Sequence, residues 1–220
     1  MRRIFLGGGG SASDSIYLDK KFVSELDLDK PLIYIPIAMV SKPYKECYIW
    51  FQSVFSSLGI KKIEMLTNLR SVDEEKLNNS AGIYIGGGDT VKLLREVYKS
   101  GFDRYLINYI NKDKPVYGGS AGAIILGLDV RTAPEAQNLS ENEAKGLNAI
   151  FGYSVYAHYT PSKVNLMKIS KKCGCPIIGI PERSGAYIKD DILEVVGFEP
   201  LYLAREDGLV SLNPGQKLKL

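Results

Sequence analysis

Apolar residues follow two alternating rhythms along this chain: short unbroken runs, and longer stretches in which they recur every third or fourth position. Arg2 to Leu6 reads as a buried strand that stops at Gly7-Gly8-Gly9-Gly10. Ser11 to Asp14 then offers caps for a helix reaching about Leu26. Leu32 to Ile37 is the next strand. Residues 42–58 form an amphipathic helix with Tyr44, Tyr48, Phe51, Val54 and Phe55 at core spacing, followed by a strand over Lys61 to Leu66 and a short helix over Asp73 to Leu77. Gly82 to Ile85 is a fourth strand. After Gly86-Gly87-Gly88-Asp89-Thr90 a helix turns Val91, Leu94, Val97 and Tyr98 inward. The β-prone pair Val116-Tyr117 then runs into Gly118-Gly119-Ser120-Ala121-Gly122-Ala123 and another apolar helical pattern. Strand–helix alternation of this kind predicts a doubly wound, mainly parallel α/β sheet.

Beyond that point the rhythm changes. Asp129 to Thr132 reads as a short strand, Ala133 to Gly146 as a polar loop, Ser154 to Ala157 as a strand, Pro161 to Lys172 as a helix and Pro176 to Ile180 as a buried strand. Residues 186–220 alternate turns with short strands (Ala186–Lys189, Leu193–Val196, Leu209–Leu212), the pattern of an antiparallel flap on the sheet edge. No repeat or linker interrupts the chain, so residues 1–220 are expected to form a single α/β domain.

The candidate chemistry lies in three Gly-rich turns, each at the carboxyl end of a strand, where open α/β sheets gather their sites. Gly118 to Gly122 is Gly-x-Ser-x-Gly in a strand–turn–helix setting, the arrangement of a nucleophile elbow. A serine on so sharp a turn needs small flanking residues, and the helix behind it aims free N–H groups where an oxyanion would form. An ordinary turn with a capping serine would look the same. Gly86 to Thr90 reads as a second anion-binding turn, with Asp89 or Thr90 as a helix cap. Gly7, Gly9 and Ala12 fit a dinucleotide fingerprint, but the strand ending at Ile37 lacks the acid that holds a ribose. Close approach of this loop to a neighbouring loop is the favoured reading.

A serine nucleophile requires a base, and the chain holds one histidine, His158, at what reads as a strand end. Composition narrows the alternatives further. With 28 basic against 25 acidic residues, a net charge of +3 and no basic run, nucleic acid and membrane surfaces have little to hold. No apolar run is long enough to span a bilayer. The segment Ile4-Phe5-Leu6 after Arg2-Arg3 is too short for a signal-peptide core, so a cytoplasmic location is expected. Cys47, Cys173 and Cys175 form no disulfide framework, and a single histidine leaves a zinc site short of ligands, so no metal is expected. Acyl transfer through a serine calls for no organic cofactor either.

Three stretches together resemble the peptidase E family of serine peptidases, which includes aspartyl dipeptidases, has cyanophycinases as relatives and shares the fold of class I glutamine amidotransferases. They are Gly86-Gly87-Gly88-Asp89-Thr90, Gly118 to Ala123, and Ala157-His158-Tyr159 with Gly179-Ile180-Pro181-Glu182. The resemblance implies Ser120 as nucleophile, His158 as general base, the backbone N–H groups of Gly88 and Ala121 as oxyanion hole, and a short peptide as substrate. It leaves two orienting acids: Glu182, favoured because a buried strand end holds a carboxylate rigidly, and Glu135, where aspartyl dipeptidases commonly carry Asp. The acid that loses that role is available for the substrate's α-ammonium. Asp89 stands where the family more often has Asn, next to the expected oxyanion hole, and is a candidate substrate contact. An N-terminal aspartyl side chain would need a cation, for which Arg131, Lys163 and Arg183 are candidates. A monomer or homodimer is expected. Two alternatives stay open: an α/β-hydrolase-type esterase with Glu135 as its acid, and a non-catalytic small-molecule binding module.

Overall fold

The computed structural model describes residues 2–220. Its central sheet contains β1 (Arg3–Gly7), β2 (Leu32–Ile35), β3 (Ile63–Met65), β4 (Gly82–Ile85), β5 (Pro115–Gly119), β8 (Ser184–Lys189), β9 (Ile192–Gly197) and β12 (Lys217–Lys219). The strand order is β12-β9-β8-β1-β5-β4-β2-β3. The five strands from β1 to β3 along that order run parallel, and β8, β9 and β12 add antiparallel pairs at one edge. This is the mainly parallel sheet with an antiparallel edge that the sequence predicts.

Pairing register makes the two faces of the sheet chemically different. Phe5 pairs with both Tyr117 and Tyr187, Tyr84 with Tyr117, and Tyr34 with Tyr84, so one face carries a continuous aromatic row. Side chains alternate across a strand. The neighbouring positions Ile188, Ile4, Val116, Ile83 and Ile33 therefore form an aliphatic row on the other face. Helices α1 (Ala12–Val23) and α2 (Tyr44–Ser57) cover the aromatic face through Leu18, Phe22, Phe51 and Phe55. Phe51 stacks on Tyr34 at 4.0 Å between centroids. The aliphatic face is covered by α3 (Glu74–Asn78), α4 (Thr90–Ser100), α5 (Phe102–Asn111) and α6 (Ala121–Leu126).

Several elements differ from the sequence expectation. The helix expected to reach Leu26 stops at Val23, where Glu25 and Leu26 turn back onto the carbonyls of Phe22 and Val23. Helix α5 was not anticipated, although Phe102, Leu106, Tyr109 and Ile110 repeat at helical spacing. Gly101, at φ 73°, ends α4 in the left-handed conformation and lets α5 start at once. Tyr98 is 44% exposed rather than inward, and its hydroxyl donates to the carbonyls of Lys145 and Gly146. Asp129 to Thr132 is no strand. It makes one bridge, Asp129 to Lys145, because the Asp129 carboxylate accepts from the Arg131 backbone and turns the chain. The helix expected from Pro161 begins only at Leu166. There Asn165 caps it by accepting from the Lys168 N–H, giving α7 (Leu166–Cys173).

The larger difference is a second, four-stranded sheet. β6 (Ser154–Ala157) and β7 (Ile177–Ile180) pair in parallel, and β10 (Leu201–Arg205) and β11 (Gly208–Leu212) continue from β7 in the order β11-β10-β7-β6. The C-terminal strands thus divide between two sheets instead of forming one flap. This second sheet matters for the site, because β6 leads directly into His158 and β7 into Pro181-Glu182. No helix among the described residues is long and apolar enough to cross a membrane.

Candidate active site

Ser120 sits between β5 and α6 with φ 49° and ψ −111°, a strained conformation for a residue with a Cβ. Its neighbours explain why the turn is built from glycine. A Cβ on Gly118 would lie 2.5 Å from the Gly122 carbonyl, and one on Gly122 would lie 2.2 Å from the Ile85 carbonyl oxygen. The Ser120 N–H donates to the Gly7 carbonyl at 3.0 Å, which ties the elbow to the first Gly-rich loop.

That first loop serves the site by close packing. A Cβ on Gly8 would fall 2.0 Å from the Pro181 carbonyl oxygen, and one on Gly9 would fall 2.1 Å from the His158 ring. The glycines let β1 reach the ends of β6 and β7, as the close-approach reading of Gly7 to Gly10 expects. The His158 N–H donates to the Gly8 carbonyl at 2.8 Å and holds His158 at φ 53°. In this position the imidazole is bonded at both nitrogens. Ser120 Oγ lies 2.8 Å from Nε2, and Glu182 Oε1 lies 2.8 Å from Nδ1. Both His158 and Glu182 are about half exposed, at 49% and 54%, so the array opens to solvent.

Glu135 is placed elsewhere. It lies in a short 3-10 turn (Pro134–Ala136), and its Oε1 accepts from the Thr90 backbone N–H at 2.8 Å, at the start of α4. Asp89 caps the same helix, accepting from the Lys92 N–H at 2.8 Å. Neither carboxylate is among the crevice-lining groups. Together they pin the Gly86–Thr90 turn against α4. Gly88, at φ 138°, is pressed so close to the Ala38 carbonyl that a Cβ would lie 2.3 Å from its oxygen. Neither the Gly88 nor the Ala121 N–H finds an acceptor among the described residues.

The cations named from sequence are also accounted for. Arg131 is bound in a fork by Asp129, away from the crevice. Arg183 lies over the Phe198 ring at 4.6 Å and pairs loosely with Asp14 and Glu199. Lys163 is an exposed turn residue. The crevice beside Ser120, about 450 Å³, takes its charged groups from α2 and the turn before it: Lys42 and Glu46, with Trp50 one turn further. Glu46 and Trp50, four residues apart, share one face of α2, and Lys42 lies two residues before its first turn. The sequence reading of residues 42–58 picks out the core positions Tyr44, Tyr48, Phe51, Val54 and Phe55 and leaves Lys42, Glu46 and Trp50 unassigned. Cys173 and Cys175 lie outside the crevice, with burial pushing the Cys173 thiol up to about 12. Among the described residues no cluster of three or more His, Cys, Asp or Glu side chains could hold a metal ion.

Residues 4–196 match the model of a protein family described as peptidase family S51. The chain is 29% identical over 195 residues to a peptidase E of Shewanella oneidensis, covering 83% of this chain and 81% of that protein. It is 27% identical over 183 residues to a peptidase E of Shewanella sp. strain ANA-3, covering 78% and 76%. The crystal structure of a peptidase from an acI-B1 Actinobacterium superposes with a TM-score of 0.75 at 18% identity, covering 100% of this chain and 97% of that one, and so shares its fold.

Proposed function

This chain belongs to peptidase family S51 and is a serine-type peptidase, and we propose that it hydrolyses dipeptides or short peptides through Ser120, His158 and Glu182. One observation carries the assignment: an unbroken line of hydrogen bonds from Ser120 Oγ through the imidazole to Glu182, with both links at 2.8 Å. In the resting arrangement the serine hydroxyl donates to Nε2, and Nδ1–H donates to the Glu182 carboxylate. That carboxylate fixes the tautomer and stabilises the imidazolium that forms during attack.

Ser120 attacks the carbonyl of the N-terminal residue while Nε2 takes its proton. The Gly88 and Ala121 N–H groups receive the developing oxyanion, each contributing about 3–4 kcal/mol to the transition state. His158 then protonates the leaving amine, and a water activated by the same nitrogen releases the acyl group. Glu135 acts at one remove, through the turn that carries Gly88, so Glu182 rather than Glu135 is the orienting acid. An N-terminal aspartyl side chain would meet Lys42, the cation that lines the crevice, in place of Arg131 or Arg183. The esterase alternative loses support with Glu135 engaged at α4.

The test is hydrolysis of dipeptides with N-terminal Asp, Asn, Glu, Gly and Leu by wild type and Ser120→Ala. The expected result is turnover that falls by at least about 10⁴-fold in the variant. Restriction to Asp-X would add aspartyl specificity. Turnover unchanged by the substitution would contradict the assignment.

A further inference from the structure

We infer that the crevice floor behind Ser120 is a receptor for the free α-ammonium group of the substrate, with Asp19 as the residue that polarises it; this rests on the hydrolytic reading above. Besides Ser120, four hydroxyl-bearing residues line the crevice, Ser15, Tyr34, Tyr84 and Tyr117; of these Ser15 from α1, Tyr117 from β5 and Tyr84 from β4 form one connected group. They stand next to the nucleophile. A Cβ on Gly119, the residue before Ser120, would lie 3.0 Å from the Tyr84 hydroxyl, and one on Gly7 would lie 2.9 Å from the Tyr117 hydroxyl.

Beneath them is a carboxylate used by no other part of the site. Asp19 is 2% exposed and has no cation beside it among the described residues. Its Oδ2 accepts from Ser15 Oγ at 2.8 Å, and the Tyr117 hydroxyl faces the same carboxylate. Its Oδ1 is buried and finds no partner within hydrogen-bonding distance among the described residues. The Tyr84 hydroxyl in turn faces that of Tyr117, their rings stacked at 4.4 Å. A carboxylate only accepts, so it draws the Ser15 and Tyr117 protons toward itself. The oxygens that line the crevice are thereby left presenting lone pairs, with a negative charge behind them.

Such a floor fits a donor and rejects an acceptor. An α-ammonium has three N–H bonds for three oxygens and lies two bonds from the carbonyl carbon that Ser120 attacks. A substrate carboxylate would face lone pairs alone, which directs an acidic side chain toward Lys42 instead. The buried Asp19 charge has no cation beside it among the described residues, and an α-ammonium over these hydroxyls would offset it. Asp19 thus fills the ammonium role for which the sequence had offered whichever of Glu135 and Glu182 was not the orienting acid.

The experiment uses the full chain carrying Ser120→Ala, which holds peptides without cleaving them. Calorimetry measures Asp-Leu, Leu-Leu and their N-acetyl forms, in this protein and after a further Asp19→Asn or Ser15→Ala change. Free dipeptides are expected to bind at least about tenfold more tightly than acetylated ones, and Asp19→Asn to remove most of that difference while leaving the acetylated forms unchanged. In protein retaining Ser120, the Asp19→Asn loss is expected in KM, with kcat within about twofold of wild type. Equal binding of free and acetylated forms, no binding of either, or an equal loss of both on Asp19→Asn would overturn the inference. The two readings fail separately. Ser120-dependent cleavage of N-acetyl peptides at the free-peptide rate would keep the peptidase and discard the ammonium site. Amine-dependent binding without any Ser120-dependent turnover would do the reverse.

Discussion

The two faces of the central sheet are made from the same strands, one residue out of step, yet they are built for different ends. The aliphatic face, with Ile4, Ile33, Ile83, Val116 and Ile188 under α4, α5 and α6, is mostly hydrocarbon, and the buried Tyr109 hydroxyl there is paired with Ser80 at 2.9 Å. The aromatic face carries hydroxyls at Tyr34, Tyr84, Tyr117 and Tyr187 and a buried acid, Asp19, where α1 packs on it. Hydrocarbon burial favours folding in rough proportion to its area, whereas each buried hydroxyl or carboxylate must find a partner to avoid a net cost. The expensive face is the one that opens into the crevice beside Ser120. Both faces bury a core, but only the aromatic one carries a buried acid and borders the crevice beside Ser120 through its tyrosines.

The largest expected effect lies on the aliphatic side. Leu106→Ala, at a fully buried position on α5, is expected to lower unfolding free energy by about 2–5 kcal/mol, read by urea denaturation. The folded fraction should retain kcat/KM within about twofold. A loss of activity in the folded enzyme would break the division between the faces.

The next effect depends on pH. Burial raises the Asp19 carboxyl from 3.8 to about 6. The folded state therefore holds this proton more tightly than the unfolded one, so the group favours folding below about pH 4 and loses that contribution as pH rises through 6. A shift of this size corresponds to roughly 3 kcal/mol at pH 8. Asp19→Asn cannot ionise. Wild type should accordingly lose about that much stability relative to the variant between pH 4 and pH 8, followed as urea midpoints. Parallel pH profiles would contradict a buried, ionising Asp19.

A smaller effect sharpens the contrast. Tyr117→Phe keeps the ring that stacks against Tyr84 and deletes the hydroxyl that faces Asp19. Stability should change by only about 1 kcal/mol, while KM for free dipeptides rises. A KM unchanged from wild type would remove Tyr117 from the substrate floor.

The sequence made the parallel half of the fold legible because each strand and helix there has its own rhythm and its neighbours follow in order. Which sheet a strand joins is a long-range choice, and nothing local in Ser154–Ala157 or Pro176–Ile180 marks them as partners of each other rather than of β1 or β5. Helix α5 has its own helical spacing, but Gly101 joins it to α4 without a loop, so no boundary marks where it starts. The Gly-rich turns stand out because crowding leaves no other residue possible at Gly8, Gly88 and Gly122. The choice between Glu135 and Glu182 depends on where one carboxylate oxygen points, which no spacing rule encodes. Asp19 reads in sequence as one more polar position on an amphipathic helix. Only the packing of α1 shows it turned inward beside Leu18 and Phe22.

The central claim, that Ser120, His158 and Glu182 act as one unit, is tested most directly by comparing Glu182→Gln with Glu135→Gln in kcat across pH on the best dipeptide substrate. Glu182→Gln should lower kcat by about 10³–10⁴-fold by leaving His158 in the wrong tautomer. Glu135→Gln, which keeps an oxygen for the Thr90 N–H, should cost no more than about tenfold. The reverse order of losses would make Glu135 the orienting acid and contradict the account.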